Sequence, residues 1–167
     1  MDPAEAVIDR IEARVRRRLG EPSRHLGPTG QPKASAFVFR RGDAQGVPEP
    51  VVQALETRLG GRLPAVYRAF LRRLGRRPLE LFRGSDLTDP ERPEEYEEIL
   101  AEMLALNPEF VWPPSAHVIL THQGYHLAYV LADGSHDGPV WSLTEGQPGC
   151  LADSFEAYLE TEAGYIS

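Results

Sequence analysis

The chain has 167 residues, 41% of them hydrophobic, and a formal net charge of −7, which suits one ordinary domain with extensions rather than two full ones. A single cysteine, Cys150, excludes an intrachain disulfide and a four-thiolate zinc site, and the longest apolar run, Leu127 to Ala132, falls far short of the roughly 20 residues that cross a bilayer. The first ten residues carry Asp2, Glu5 and Asp9 and have neither the basic start nor the apolar middle of a secretory signal, so a reducing cytoplasm is the expected setting.

Residues 4 to 19 place Ile8, Ile11, Val15 and Leu19 at helical spacing, with arginines on the other faces, and predict an amphipathic helix that Gly20 ends. From Gly20 to Pro32, six of thirteen residues are Gly or Pro, a density that marks a linker or ordered loop. Ala36 to Phe39 predicts a short strand. Val51, Val52, Leu55 and Leu59 then form an apolar stripe stopped by Gly60 and Gly61, and Pro64 opens a second helix through Tyr67, Phe70, Leu71 and Leu74. The opposite side of this pair carries Arg68, Arg72 and Arg73, with Arg76 and Arg77 following, so a basic ridge is expected. Several of these arginines could instead pair with the glutamates of the next helix.

Leu79 to Phe82 predicts a short strand. Asp89 is a candidate cap for a third helix with Tyr96, Ile99, Leu100 and Met103 on one face, terminated by Asn107 and Pro108. Strands follow at His117 to Thr121, Tyr125 to Leu131 and Val140 to Leu143, with turn material between them, as in an antiparallel meander. Asp153 and Glu156 have capping-box spacing before a last helix that presents Phe155, Tyr158 and Leu159. Helices at both ends of a strand-rich middle predict an α+β fold, a mostly antiparallel sheet with helices packed on it plus an extra amino-terminal helix.

The residue types give little footing for catalysis. His117, His122, His126 and His136 with Asp133 and Asp137 match no known ligand spacing, and His122 and His126 lie in turn and strand sequence, where they hydrogen-bond neighbours more readily than they hold a metal. No serine sits in a nucleophile elbow, and Ser154 reads as a helix cap. Cys150 is read as a loop residue among acidic neighbours that would not lower its pKa. Neither a phosphate loop nor a dinucleotide-binding turn is present, so no cofactor and no enzyme is expected.

The charge is uneven: residues 1 to 50 sum to +2, 51 to 83 to +6, and 84 to 167 to −15. Such a field repels nucleic acid and attracts a basic partner, although acidic surfaces also serve only to keep molecules apart. Glu94, Glu95, Glu97 and Glu98 are the candidate partner-binding residues. The same run also has a structural explanation, because the positive end of the helix dipole favours acids.

Leu63-Pro64, Tyr67, Phe70-Leu71, Leu81-Phe82, His122 to Tyr125, Pro139 to Trp141 and Ser154-Phe155 with Leu159 occur in an order that resembles the SUKH superfamily. That group includes yeast cell-wall-synthesis regulators of the SMI/KNR type and many bacterial immunity proteins. The resemblance implies a division into a lead-in at residues 1–46 and a SUKH domain at residues 47–167. It also implies a non-catalytic protein-binding role: either an immunity protein against a bacterial toxin domain such as a nuclease or deaminase, or an SMI/KNR-like scaffold or adaptor. The matching residues are mostly apolar, Gly or Pro, so they transfer a scaffold and no site. Gly75-Arg76-Arg77 stands where many relatives carry Asn-Gly-Gly.

Overall fold

The computed structural model describes residues 1–20 and 44–166, and the strand expected at Ala36 to Phe39 lies outside them. The elements in chain order are helix α1 (Pro3–Gly20), α2 (Glu49–Leu59), α3 (Ala65–Leu74), strand β1 (Asp86–Leu87), α4 (Glu94–Leu106), β2 (Ala116–His122), β3 (His126–Leu131), β4 (Val140–Thr144), β5 (Gln147–Ala152) and α5 (Phe155–Gly164). The strands form one sheet in the order β1-β2-β3-β4-β5, antiparallel throughout. The fold is α+β, as the clustering of helical and strand periodicities implied.

Alternation along β3 divides the core in two. Ala128 and Val130 face the larger cluster, which α1, α2, α3 and α5 complete with Ile8, Ile11, Val52, Leu55, Phe70, Leu74, Phe155 and Leu159. Leu127 and Tyr129 face the other side, where Met103 of α4 and the partly buried Phe110 and Trp112 cover them. The larger cluster has an aromatic centre: Phe155 stands edge-on to Tyr67 and Phe70, with ring centroids 5.0 and 5.3 Å away. The amino-terminal helix is part of this core, with Ile8, Ile11 and Val15 fully buried. Arg73 of α3 reaches Glu5, Asp9 and Glu12 of α1, and Arg10 and Arg14 reach Glu156 and Glu160 of α5.

Local chemistry sets the joints. Gly60 sits at φ 71°, and its left-handed conformation ends α2 where the sequence predicts a stop. Ser154 caps α5, its Oγ accepting from the Ala157 amide at 3.0 Å. Asp137, from the loop between β3 and β4, accepts the Phe155 and Glu156 amides at 2.9 and 3.1 Å and so ties the sheet to that helix end. The expected Asp153 box gives way to these two partners. Asp89 likewise does not cap α4; it accepts the Glu91 amide at 3.0 Å, and the helix begins after Pro93.

Three further expectations are corrected. Leu79 to Phe82 is a turn and not a strand: Leu79 and Phe82 both sit at φ 59°, and burial of Leu81 and Phe82 accounts for the apolar run. Tyr125 belongs to the β2–β3 turn, with β3 starting at His126. Cys150 lies in β5 rather than in a loop. That strand follows a two-residue turn in which Glu145 and Gly146 both have positive φ, 48° and 80°, the primed geometry that suits a tight hairpin.

The segment leading into α2 is fixed by backbone contact. The Val47 amide donates to the Leu71 carbonyl at 2.8 Å, and Gln45 bridges Arg77. At Gly46, a Cβ would stand 1.6 Å from the Arg72 carbonyl oxygen. Gly46→Ala is therefore expected to lower stability by about 1–3 kcal/mol or more in urea denaturation. An unchanged midpoint would mean that this contact relaxes freely.

Candidate protein-binding site

Helix α4 lies across the second face of the sheet through Met103, with Tyr96, Ile99, Leu100 and Leu104 packed beside it. Its other side is open. Glu94, Glu95, Glu97 and Glu98 are all exposed, near the helix amino end where the dipole tolerates negative charge. Arg92 approaches Glu94 at 3.6 Å and Glu95 at 2.8 Å, an exposed arrangement that contributes little energy. Glu97 and Glu98 pair with no cation among the described residues. After Arg92 the sequence contains no lysine or arginine: α4 and α5 carry glutamates only, and the four long strands carry no Asp, Glu, Lys or Arg.

Beside this acidic turn lies a cleft of about 670 Å³ between α4 and the segment from Pro78 to Thr88, lined among others by Arg76, Glu80, Asp86, Glu95, Tyr96 and Ile99. Arg76 is held by Glu91, across the mouth of the segment leading into α4. Half-burial pushes the Tyr96 hydroxyl pKa up. Of the four predicted glutamates, only Glu95 lines the cleft. Residue spacing does not announce this cavity, because its wall is the turn that reads as a strand.

The expected basic ridge is largely neutralised, mostly by α1 and α2; of the acids at the amino end of α4, only Glu91, just before the helix, takes up one of its arginines, Arg76. Arg68 is held by Glu49 and by Glu56, whose Oε1 also accepts the Leu63 amide at 3.0 Å. Arg72 meets Glu49 at 2.9 Å, and Arg73 is taken up by α1. The Arg68 and Arg73 pKa values are raised, chiefly through hydrogen bonds to Glu49 and Asp9. Glu49 is lowered in turn by its hydrogen bond to Arg68.

The histidines are occupied separately. His122 and His126 face each other across the β2–β3 ladder, but His122 Nδ1 meets Ser85 Oγ at 3.3 Å and His126 Nδ1 meets Thr144 Oγ1 at 2.7 Å. Burial, with a smaller contribution from His122, lowers the pKa of His126. His117 is buried against Tyr67, with Nε2 3.0 Å from the phenol oxygen and Nδ1 unpartnered. Among the described residues no three His, Cys, Asp or Glu side chains come together as a metal site. None of the described helices is long and apolar enough to cross a membrane.

Residues 46–161, most of the chain, match the family model described as SMI1 / KNR4 family (SUKH-1). The chain belongs to this family. Comparison with curated proteins and with solved structures finds no match. The SUKH-1 match takes in α2 to α5 almost whole and leaves out α1, which nevertheless shares the larger core. An immunity or SMI1-like module is consistent with this membership, and domains of this family are associated with protein–protein interaction.

Proposed function

We propose that this SUKH-1 chain is a non-catalytic protein-binding module: an immunity protein that neutralises a cognate bacterial toxin, a basic nuclease or deaminase, in the cytoplasm. The observation that carries the reading is the absence of lysine and arginine after Arg92, over the sheet, α4 and α5. An enzyme built to grip phosphate presents the opposite field, which speeds encounter and rejects acidic competitors. Nucleic acid is disfavoured as a partner by the same charge. The exposed turn at Glu94, Glu95, Glu97 and Glu98, next to the cleft, is the proposed contact region.

The test is pull-down and calorimetry against toxin domains encoded beside the gene, with the association rate followed from 50 to 500 mM salt. A neighbour toxin should bind, and its association should slow about tenfold or more over that range. Glu97→Lys with Glu98→Lys should slow it by a similar factor. Association indifferent to both salt and charge reversal would remove the electrostatic mechanism. Failure of every neighbouring toxin, with capture of a cellular protein instead, would favour the adaptor role. An adaptor would need surfaces other than the apolar stripe of α1, which is buried inside this molecule.

A further inference from the structure

The second face of the sheet is incompletely covered. At the β4–β5 side an apolar groove of about 420 Å³ remains open, lined by Phe110, Tyr129, Leu131, Trp141, Pro148 and Cys150. One wall is β5 itself, an edge strand whose residues Gln147 to Leu151 are exposed and uncharged, and whose outer side pairs with no strand among the described residues. Sheet edges are ordinarily blunted by charges or covered by a helix. Here the edge is blunted only by Pro148 and by the register slip at Leu151, which has no partner on β4 and stands 41% exposed, so Gln147 to Cys150 stay open.

The surroundings of the groove have one sign. The chain flanking its lining is acidic: Glu109 precedes Phe110, Glu145 stands in the β4–β5 turn and Asp153 follows β5, all three exposed, whereas Asp133 and Asp137 are taken up by the Ser135, Phe155 and Glu156 amides; residues 109–153 contain no lysine or arginine. Helix α4 ends beside the β4–β5 turn, where Asn107 Nδ2 donates to the Gly146 carbonyl at 3.1 Å, and its last turn has no basic residue to offset the negative end of its dipole.

We propose that this groove and the outer edge of β5 receive an extended cationic segment of a protein partner. The segment seats an aliphatic or aromatic side chain between Trp141 and Phe110 while its lysines or arginines meet the flanking carboxylates of Glu109, Glu145 and Asp153. The proposal rests on the reading of the chain as a protein-binding module and names where, and by what kind of segment, that binding occurs. Apolar seating supplies the anchor, charge supplies the choice of partner, and edge pairing supplies alignment.

Cys150, the only cysteine, reports on the groove directly. The full chain is treated with iodoacetamide in the presence of three synthetic seven-residue peptides, alternating lysine with leucine, glutamate with leucine, or lysine with serine. The lysine–leucine peptide should slow alkylation of Cys150 at least fivefold, and the other two should leave it unchanged. Equal protection by the lysine–serine peptide would reduce the effect to charge, equal protection by the glutamate–leucine peptide would remove the charge argument, and no protection by any of them would overturn the proposal.

Cys150→Arg places a cation and bulk at an exposed edge position without touching the core. It should keep the melting temperature and, with quenching of tryptophan fluorescence as the readout, lose affinity for the lysine–leucine peptide at least tenfold; retained affinity would also overturn the proposal. The same variant separates this inference from the toxin reading. A captured toxin that binds Cys150→Arg as tightly as the parent leaves the immunity role standing and removes the groove. Protection by the lysine–leucine peptide with no toxin captured does the reverse.

Discussion

Lowering the pH from 7 to 4.5 is expected to cost the fold about 3 kcal/mol through His117 alone, and His117→Gln is expected to remove that part of the slope. His117 is 1% exposed on β2, behind Tyr67. Burial, with repulsion from Arg58 as a smaller cause, pushes its pKa down from 6.5 to about 3. Between those values the unfolded chain takes up a proton that the folded chain refuses. The stabilising contribution is therefore complete above pH 6.5 and lost progressively as pH falls towards 3.

Other groups titrate in the same acid range. Glu49 and Asp133, whose pKa values are lowered, lose stability on acidification, whereas the raised pKa of Glu162 acts in the opposite direction. The difference between parent and variant isolates the histidine. Urea denaturation at pH 8, 6 and 4.5 should show the variant weaker at pH 8, since Tyr67 loses its imidazole partner, yet flatter with pH. Parallel slopes would mean that water or a carbonyl reaches the unpartnered Nδ1 and lets the ring charge in place.

Ile11→Ala is expected to destabilise the entire domain by about 2–5 kcal/mol, as a single cooperative transition. Ile11 is fully buried and belongs to the same cluster as Phe70, Leu74, Phe155 and Leu159. Deleting its side chain leaves a cavity between helices that are also fixed by Arg73, Arg10 and Arg14, so the site has little freedom to collapse. Arg17→Ala, on the exposed side of the same helix, should change stability by less than about 0.5 kcal/mol. Tryptophan fluorescence reports on the sheet face far from α1, and far-ultraviolet circular dichroism reports on the helices. Coincident transitions shifted by Ile11→Ala are the expected result, whereas an early helical phase that leaves the tryptophan signal intact would make α1 an independently fraying appendage.

The elements that periodicity foretold are those whose burial follows one rule along their length. The stripe Ile8, Ile11, Val15 faces inward as spaced, and the β2, β3 and β4 runs are strands within a residue or two at each end. Strand β5 escaped because Pro148 and Gly149 disfavour strands in general and are tolerated here only at an edge, where one side of the backbone is unpaired. The Glu145-Gly146 pair, which makes the tight turn of the Val140–Ala152 hairpin, is the available signal. Leu79 to Phe82 misled for the converse reason: its side chains are as apolar as a strand's, but two positive φ angles reverse the chain so that Leu81 and Phe82 can enter the core.

For the site, sign was legible and shape was not. The acidic run of α4 is a matter of composition, and its exposure follows from the apolar face that Met103 buries. The cleft and the groove depend on which part of the sheet α4 leaves bare, a long-range outcome that local spacing does not encode. The basic ridge failed for a related reason, since its carboxylate partners come mostly from α1 and α2 and meet it only through folding.

The internal pairing of Arg68, Arg72, Arg73 and Arg76 also shapes how the molecule is met from afar. With those cations already matched, the excess acid of residues 84–167 sets the far field, and its exposed part at Glu97 and Glu98, unpaired among the described residues, forms one negative pole. Two copies approaching pole to pole repel and turn aside, so crowding with its own kind leaves that pole vacant. An oppositely charged visitor, by contrast, is rotated into position before contact.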